Sequence, residues 1–430
     1  MNIVVLGLWH LGTVTAACCA RHFSVTGLDF DAEVVAKLQQ GKAPLFEPGL
    51  EEAVAAGLAA KQLQFTADEV AAAASADVLW LCYDTPVNDR DESDVPFVLQ
   101  RLQRVLPHLA SGTLVLISSQ LPVGTCRELE KQYPQFHFAC SPENLRLGRA
   151  LDAFEKAERV IVGLRTDAKR ALLQQLFGPF TGQVLFMGTE SAEMVKHALN
   201  SFLALSISFI NEIARLCEQV GADAGEVSAG LKSDPRIGSR AYLGPGGAFA
   251  GGTLARDVVT LSRLGETQKE ELTLIPAIKA SNDQHRGWAY RKLLGRFGNL
   301  RDRSIAVLGL VYTPNTDTLR RSAAVELCQQ LLSVGARLRA FDPRIRVLPP
   351  ELSAVKLGSD LASALADAEV AVICTEWAQF REASWPELVR MMRRPAVFLD
   401  ANRFLEKQLR DLPDVEYLSV GRGPVRPPAP

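Results

Sequence analysis

Lys196 and Asn200 stand four residues apart in the run Lys196-His197-Ala198-Leu199-Asn200, so on a helix they share one face. An ammonium with a neighbouring amide can stabilise a developing alkoxide or position a water. The same spacing also suits a lysine that snorkels at a helix end and an asparagine that bonds a nearby carbonyl. His197 points to another face and reads as a packing residue. Near the N-terminus, Gly7-Leu8-Trp9-His10-Leu11-Gly12 follows the apolar run Ile3-Val4-Val5-Leu6. Gly7 and Gly12 fit the outer positions of G-x-G-x-x-G, whereas Trp9 replaces the middle glycine, the one that lets backbone approach a pyrophosphate. Asp29 ends the next strand, Phe23 to Leu28. A carboxylate there accepts hydrogen bonds from the adenosine ribose hydroxyls and would repel a 2'-phosphate, which favours NAD over NADP. A structural turn with a helix-capping aspartate is the alternative for these residues.

The elements that must position these groups alternate as in an α/β protein. After the first two strands come helices near Ala32 to Gln40 and Pro48 to Ala60, then strands at Val78 to Cys82 and Leu114 to Ile117, the pattern of a doubly wound parallel sheet. Ile305 to Leu310 repeats the strand and glycine turn, Arg337 to Phe341 ends at Asp342, and Ala368 to Cys374 and Ala396 to Leu399 add strands. The chain therefore reads as two Rossmann-like halves. Between them an almost unbroken helix runs from about Ser191 to Ala229, apolar on more than one face, as in helices buried between domains or subunits. Leu243 to Gly252 is too glycine-rich for regular structure and reads as a loop that lets backbone approach a ligand. The expected domains are 1–190 with the NAD-type turn, 191–295 central and helical, 296–420 as the second Rossmann-like half, and a disordered proline-rich tail over 421–430.

The 430 residues are 47% hydrophobic and 22% charged, as in soluble globular proteins. A net charge of -2 argues against nucleic acid or an anionic membrane as main partner. The eight cysteines show no metal-type pairing, and no metal is expected; reduced thiols of a cytosolic protein are the simplest reading. Met1 leads directly into a strand pattern without a basic region, unlike a signal peptide, and Ala198 to Ile210 is too short for a membrane span. A cytoplasmic location follows as an expectation.

Several motifs, in order, resemble those of the UDP-glucose/GDP-mannose dehydrogenase family: Glu47-Pro48-Gly49-Leu50, Asp84-Thr85-Pro86, Ser141-Pro142-Glu143-Asn144-Leu145-Arg146, Lys196 to Asn200, Gly244 to Asp257, and Gly309 to Asp317 with Arg320 and Ser322. The resemblance covers nearly the whole chain. It implies oxidation of the sixth-carbon alcohol of a nucleotide-bound sugar to a carboxylate in two NAD-dependent steps, with the central helix forming a dimer core. By the same resemblance Lys196 and Asn200 hold the reacting oxygen, Asp257 supports them, and Glu143 and Thr253 complete the catalytic set. Gly7, Leu11, Gly12, Asp29, Thr85, Pro86, Gln120, Arg256 and Arg320 would serve NAD. Asn144, Leu145, Arg146, Tyr242, Gly244, Gly246 and Thr313 would serve the nucleotide sugar.

The chain also departs from the family. Thr253 stands in Gly251-Gly252-Thr253-Leu254-Ala255-Arg256-Asp257 where the resemblance requires a nucleophilic cysteine. A thiol is readily made nucleophilic, whereas a threonine hydroxyl is weak without an adjacent base. Leu147 replaces a glutamate, Gln120 a threonine, and Thr313 a lysine whose charge Arg320, Arg321, Arg236 or Arg240 could restore. The first three changes fall on the second oxidation, so the expected product is the aldehyde. Two alternatives stand beside this: full oxidation through an aldehyde hydrate or a substitute thiol, Cys140, and a non-catalytic nucleotide-sugar binding module.

Overall fold

The computed structural model describes residues 1–88, 90–143, 145, 147–250 and 252–423. The chain divides into two compact units, Met1–Leu199 and Asn200–Pro430. The first holds eight strands: β1 (Asn2–Leu6), β2 (Ser24–Leu28), β3 (Leu63–Thr66), β4 (Val78–Leu81), β5 (Leu114–Ile117), β6 (His137–Cys140), β7 (Val160–Leu164) and β8 (Val184–Met187). Their order is β3-β2-β1-β4-β5-β6-β7-β8, parallel throughout except between β6 and β7. Every residue of β4 and β5 is buried, as expected where helices cover both faces of a parallel sheet. The order reverses at β1 and β4, so the open crevice lies at the carboxyl ends of the strands there. Helix α1 (His10–Cys19) starts at this switch point and α2 (Thr125–Gln132) starts beyond β5.

Two glycines make the first turn. Gly7 has φ +98°, and a Cβ on Gly12 would lie 1.6 Å from the Gly7 carbonyl oxygen, so no side chain fits at either place.

Helix α3 (Thr189–Val220) runs from the first unit into the second. The central helix expected over 191–229 is broken: Gly221 turns at φ +78°, and Asp223 caps a separate helix, α4 (Ala224–Ser233), by accepting from the Gly225 amide. Glycine relieves the left-handed turn and the aspartate satisfies an orphan donor, two local signals that outweigh the apolar periodicity. The glycine-rich stretch is irregular up to α5 (Thr253–Gln268), which α6 (Leu274–Arg286) follows.

The second sheet contains β9 (Ser304–Leu308), β10 (Arg337–Phe341), β11 (Lys356–Leu357), β12 (Val370–Ile373), β13 (Ala396–Asp400) and β14 (Val415–Leu418), all parallel in the order β11-β10-β9-β12-β13-β14. Residues 424–430 of the expected tail lie outside the described residues. Gly421 and Arg422 are not loose, however. Gly421 donates to Glu218 and accepts from Ala224, and Arg422 pairs with Asp223 and Glu406. Among the described residues no helix is long and apolar enough to cross a membrane, and no cluster of three or more His, Cys, Asp or Glu could hold a metal ion.

Candidate active site

In the first unit one turn and a half of α3 pins the ends of β5 and β6. The Lys196 ammonium, with its side chain 10% exposed, donates to the Glu143 carbonyl at 2.7 Å and lies 3.6 Å from its carboxylate Oε1. Glu143 in turn accepts from the Leu145 amide at 2.6 Å. His197 hydrogen-bonds the Leu121 carbonyl at 3.1 Å. Glu193 accepts from the Gly124 and Cys126 amides, supplying from α3 the cap that glycine cannot give α2. These groups, with Ser119, Gln120, Leu121 and Cys140, line a cavity of about 20 Å³. A water needs roughly 10–15 Å³ and polar partners. One is waiting: the buried Ser119 hydroxyl has no hydrogen-bond partner.

At the cofactor end, Asp29 is 8% exposed. Its Oδ2 accepts from the Leu8 amide at 2.7 Å, and its Oδ1 from the Asp31 amide at 3.1 Å and the Tyr83 hydroxyl at 3.3 Å. It therefore braces the glycine turn, while the cap of the following helix, Ala32–Gln39, is Asp31, which accepts from the Glu33 and Val34 amides. An ionised carboxylate has about four acceptor sites, so three internal donors leave room for a ribose hydroxyl. Asp342 plays the bracing part in the second unit, where it accepts from Leu310, Val311 and the Trp377 indole and is fully buried. Thr85 donates to the Gln120 carbonyl, and Pro86 accepts from the Asp94 amide. Leu11 donates its amide to Asp84 at 3.4 Å.

In the second unit Asn200 donates to the fully buried Asp257. Thr253 is the exposed first residue of α5, with Gly252 at φ +105° before it and no hydrogen-bonding base beside its hydroxyl among the described residues. Arg256 follows on the same helix, half-buried. The glycine-rich loop is clamped from several directions. Asn211 accepts from the Gly246 amide, Asn402 from the Gly247 amide, and Asn282 bonds both backbone groups of Phe249. His285 bonds the Gly246 carbonyl; burial and the facing Arg215 and Arg291 hold its pKa below the usual imidazole value. Gly244 has open space around its Cα and Tyr242 is 59% exposed. Thr313 is half-buried and its carbonyl accepts from Thr316; Arg320 is exposed. Of the four arginines weighed against the lost lysine, Arg321 passes within van der Waals reach of Gly252, while Arg236 is tied to Asp234. Asn144 and Arg146 lie outside the described residues. Glu193 and the clamping asparagines carry no motif of their own and were not legible as site residues.

Three adjoining regions match one family in order. Residues 1–181 match the UDP-glucose/GDP-mannose dehydrogenase family NAD binding domain, 190–284 its central domain, and 306–407 its UDP binding domain. The chain belongs to the UDP-glucose/GDP-mannose dehydrogenase family. It is accordingly an NAD-dependent oxidoreductase acting on CH-OH groups. A UDP-glucose 6-dehydrogenase of Bacillus subtilis (strain 168) is 31% identical over 99% of this chain and 94% of its own, and one from Pseudomonas aeruginosa is 33% identical over 98% of each. A UDP-glucose dehydrogenase structure from Pyrobaculum islandicum superposes with a TM-score of 0.87 at 29% identity, covering 98% of both chains. Within this dehydrogenase NAD would supply the hydride acceptor, and Asp29, with an acceptor site left over after its three internal donors, fits a ribose hydroxyl of that cofactor.

Proposed function

We propose that this dehydrogenase oxidises the sixth-carbon alcohol of a nucleoside-diphosphate sugar of the UDP-glucose type and releases the aldehyde. The supporting observation is Thr253: an unassisted hydroxyl heads α5 where a thiol would have to capture the aldehyde for a second oxidation. The balance is one alcohol and one NAD giving one aldehyde, one NADH and one proton. Lys196, oriented by Glu143, and Asn200, oriented by Asp257, are both carried on α3. In this reading they hold the reacting oxygen as its proton leaves, which lowers the barrier because the donors are already in place. We assign the Gly244 to Gly247 backbone, fixed by Asn211 and Asn402, and Tyr242 to the nucleotide sugar, and on the family resemblance alone Asn144, Leu145, Arg146 and Thr313 as well. We assign Gly7, Leu11, Gly12, Asp29, Thr85, Pro86, Gln120, Arg256 and Arg320 to the cofactor, and a cytoplasmic homodimer to the assembly.

A second reading has its own observation. The water-sized cavity beside Lys196, with the unpartnered Ser119 hydroxyl, could supply a water to the aldehyde; the hydrate then gives up a second hydride and the product is the carboxylate. Counting NADH per nucleotide sugar, with mass analysis of the product, separates the two. One equivalent and an aldehyde support the proposal; two equivalents and a carboxylate refute it in favour of the hydrate. Tight sugar-nucleotide binding with no NADH would instead identify a binding module.

A further inference from the structure

Gly246 and Gly247, in the glycine-rich loop, have all their backbone polar groups held by side chains. The Gly246 amide donates to Asn211 at 3.0 Å and the Gly247 amide to Asn402 at 2.7 Å. The Gly247 carbonyl accepts from Asn211 at 3.3 Å, and the Gly246 carbonyl lies 2.8 Å from His285 Nε2. Asparagine amides do not titrate, so His285 is the member of this clamp that changes charge with pH. Its ring is buried on α6, where Asn282, three residues earlier, holds Phe249 of the same loop. The other ring nitrogen, Nδ1, lies 3.4 Å from the Arg215 guanidinium of α3. A carbonyl only accepts and a guanidinium only donates, so these two partners fix both roles of the ring. Nε2 carries the proton and Nδ1 is bare. A second proton, on Nδ1, would set donor against donor and cation against cation.

We propose that His285 is a positioning residue for the nucleotide-sugar loop, seated between Arg215 and Gly246 as a neutral ring, and that its protonation drives the ring, and the loop carbonyl with it, out of place. The charged groups around it act in that direction. Burial, then Arg215 of α3 and Arg291 of the helix Trp288–Phe297, favour the neutral ring over the opposing pull of the Gly246 carbonyl and Glu218, which holds the pKa below the ordinary 6.5. Glu218 is itself occupied by Lys292, the Trp288 indole and the Gly421 amide, and Arg215 has Glu212 at 3.5 Å. On α6 the neighbouring Asp283 and Arg286 pair with Lys279 and Glu326. The inference rests on the reading that the Gly244 to Gly247 backbone receives the nucleotide sugar.

The test joins the state of the ring to the affinity of the loop. NMR of the protein with isotope-labelled histidine nitrogens, with His285→Gln identifying the signals, should show a neutral Nε2–H ring that titrates below 6.5. UDP-glucose affinity of the wild type, read by calorimetry, should be flat above that pH and fall roughly two- to tenfold below it, the worth of one hydrogen bond of the clamp. His285→Leu removes the bond and should be weakened to that extent at every pH. His285→Gln keeps an uncharged donor for the Gly246 carbonyl, so it should bind as the wild type does at mildly alkaline pH and lose the acid fall. Arg215→Met leaves the loop bond in place, and should move both the titration of His285 and the break in affinity to higher pH. An Nδ1–H ring, a titration at or above 6.5, an acid fall that persists in His285→Gln, or wild-type affinity in His285→Leu each overturns the proposal. If UDP-glucose binds at no pH, the nucleotide-sugar reading falls and the use of this loop falls with it, while the NMR result still decides whether Arg215 and Gly246 fix the ring. Unfolding midpoints at mildly alkaline pH check that each variant is folded, and Arg215→Met carries the test should the His285 variants not fold.

Discussion

On the proposed reading, Thr253 sets the product at the scale of one residue. It is exposed at the start of α5, so exchanging its hydroxyl for a thiol meets little steric resistance. A cysteine there also gains from the helix N-terminus, which favours the thiolate. Thr253→Cys should therefore move NADH production from about one equivalent per sugar towards two, with carboxylate appearing in the product. If the yield stays at one, Leu147 or Gln120 blocks the second step by itself. Lys196 offers the complementary experiment. It is buried and directed by two oxygens of Glu143, so Lys196→Met should lower kcat by on the order of a hundredfold, in line with removing one preorganised donor, while cofactor affinity changes little. A loss confined to KM would show that this ammonium binds substrate without assisting the reaction.

Elements are tied together by side chains from distant parts of the sequence, and the clearest case is the start of α4. Burial would raise the Asp223 carboxyl, but the Arg403 guanidinium, the Gly225 amide and Arg422 together hold it at about 2, against an ordinary 3.8. Because the folded value lies below the unfolded one, this carboxylate stabilises the protein above about pH 3.8, and that stability is lost as pH falls towards 2. Asp223→Asn should lose ~2 kcal/mol in urea unfolding at neutral pH, and the gap to wild type should close across that acid window. Such ties explain what could be read in advance. The two Rossmann-like halves, the glycine turns and the start of α3 in a helix-rich centre follow from local periodicity and residue type. The bond from Gly247 to Asn402 spans 155 residues, and the contact of Leu11 with Asp84 joins groups 73 apart, so neither has a local signature. The break at Gly221 was locally marked, by a glycine and a capping aspartate, yet the apolar run across it concealed the signal.

At the scale of the whole molecule, α3 presents a face that one copy of the chain does not cover. Phe202, Phe209, Leu216 and Val220 are 64%, 46%, 62% and 74% exposed, at intervals of seven, seven and four residues that keep them on one side of the helix. Scattered exposed apolar residues need no explanation, but four large ones on one helical stripe form the kind of surface that a second protein can cover. The straight repeat suits a second copy of the same helix, since a two-fold axis sets each residue against a matching stripe and lets one patch complement itself. The occupancy of this face is readable independently of catalysis. Leu216→Glu with Val220→Lys places opposite charges one turn apart, where each chain can satisfy its own pair in water but must desolvate both to associate. Light scattering should show the wild-type protein as a dimer and the double variant shifted to half that mass at micromolar concentration, with the urea midpoint of the wild type alone rising with protein concentration. A wild-type mass of one chain at every concentration, with no dependence of unfolding on concentration, would exclude the dimer and leave this stripe to a different partner.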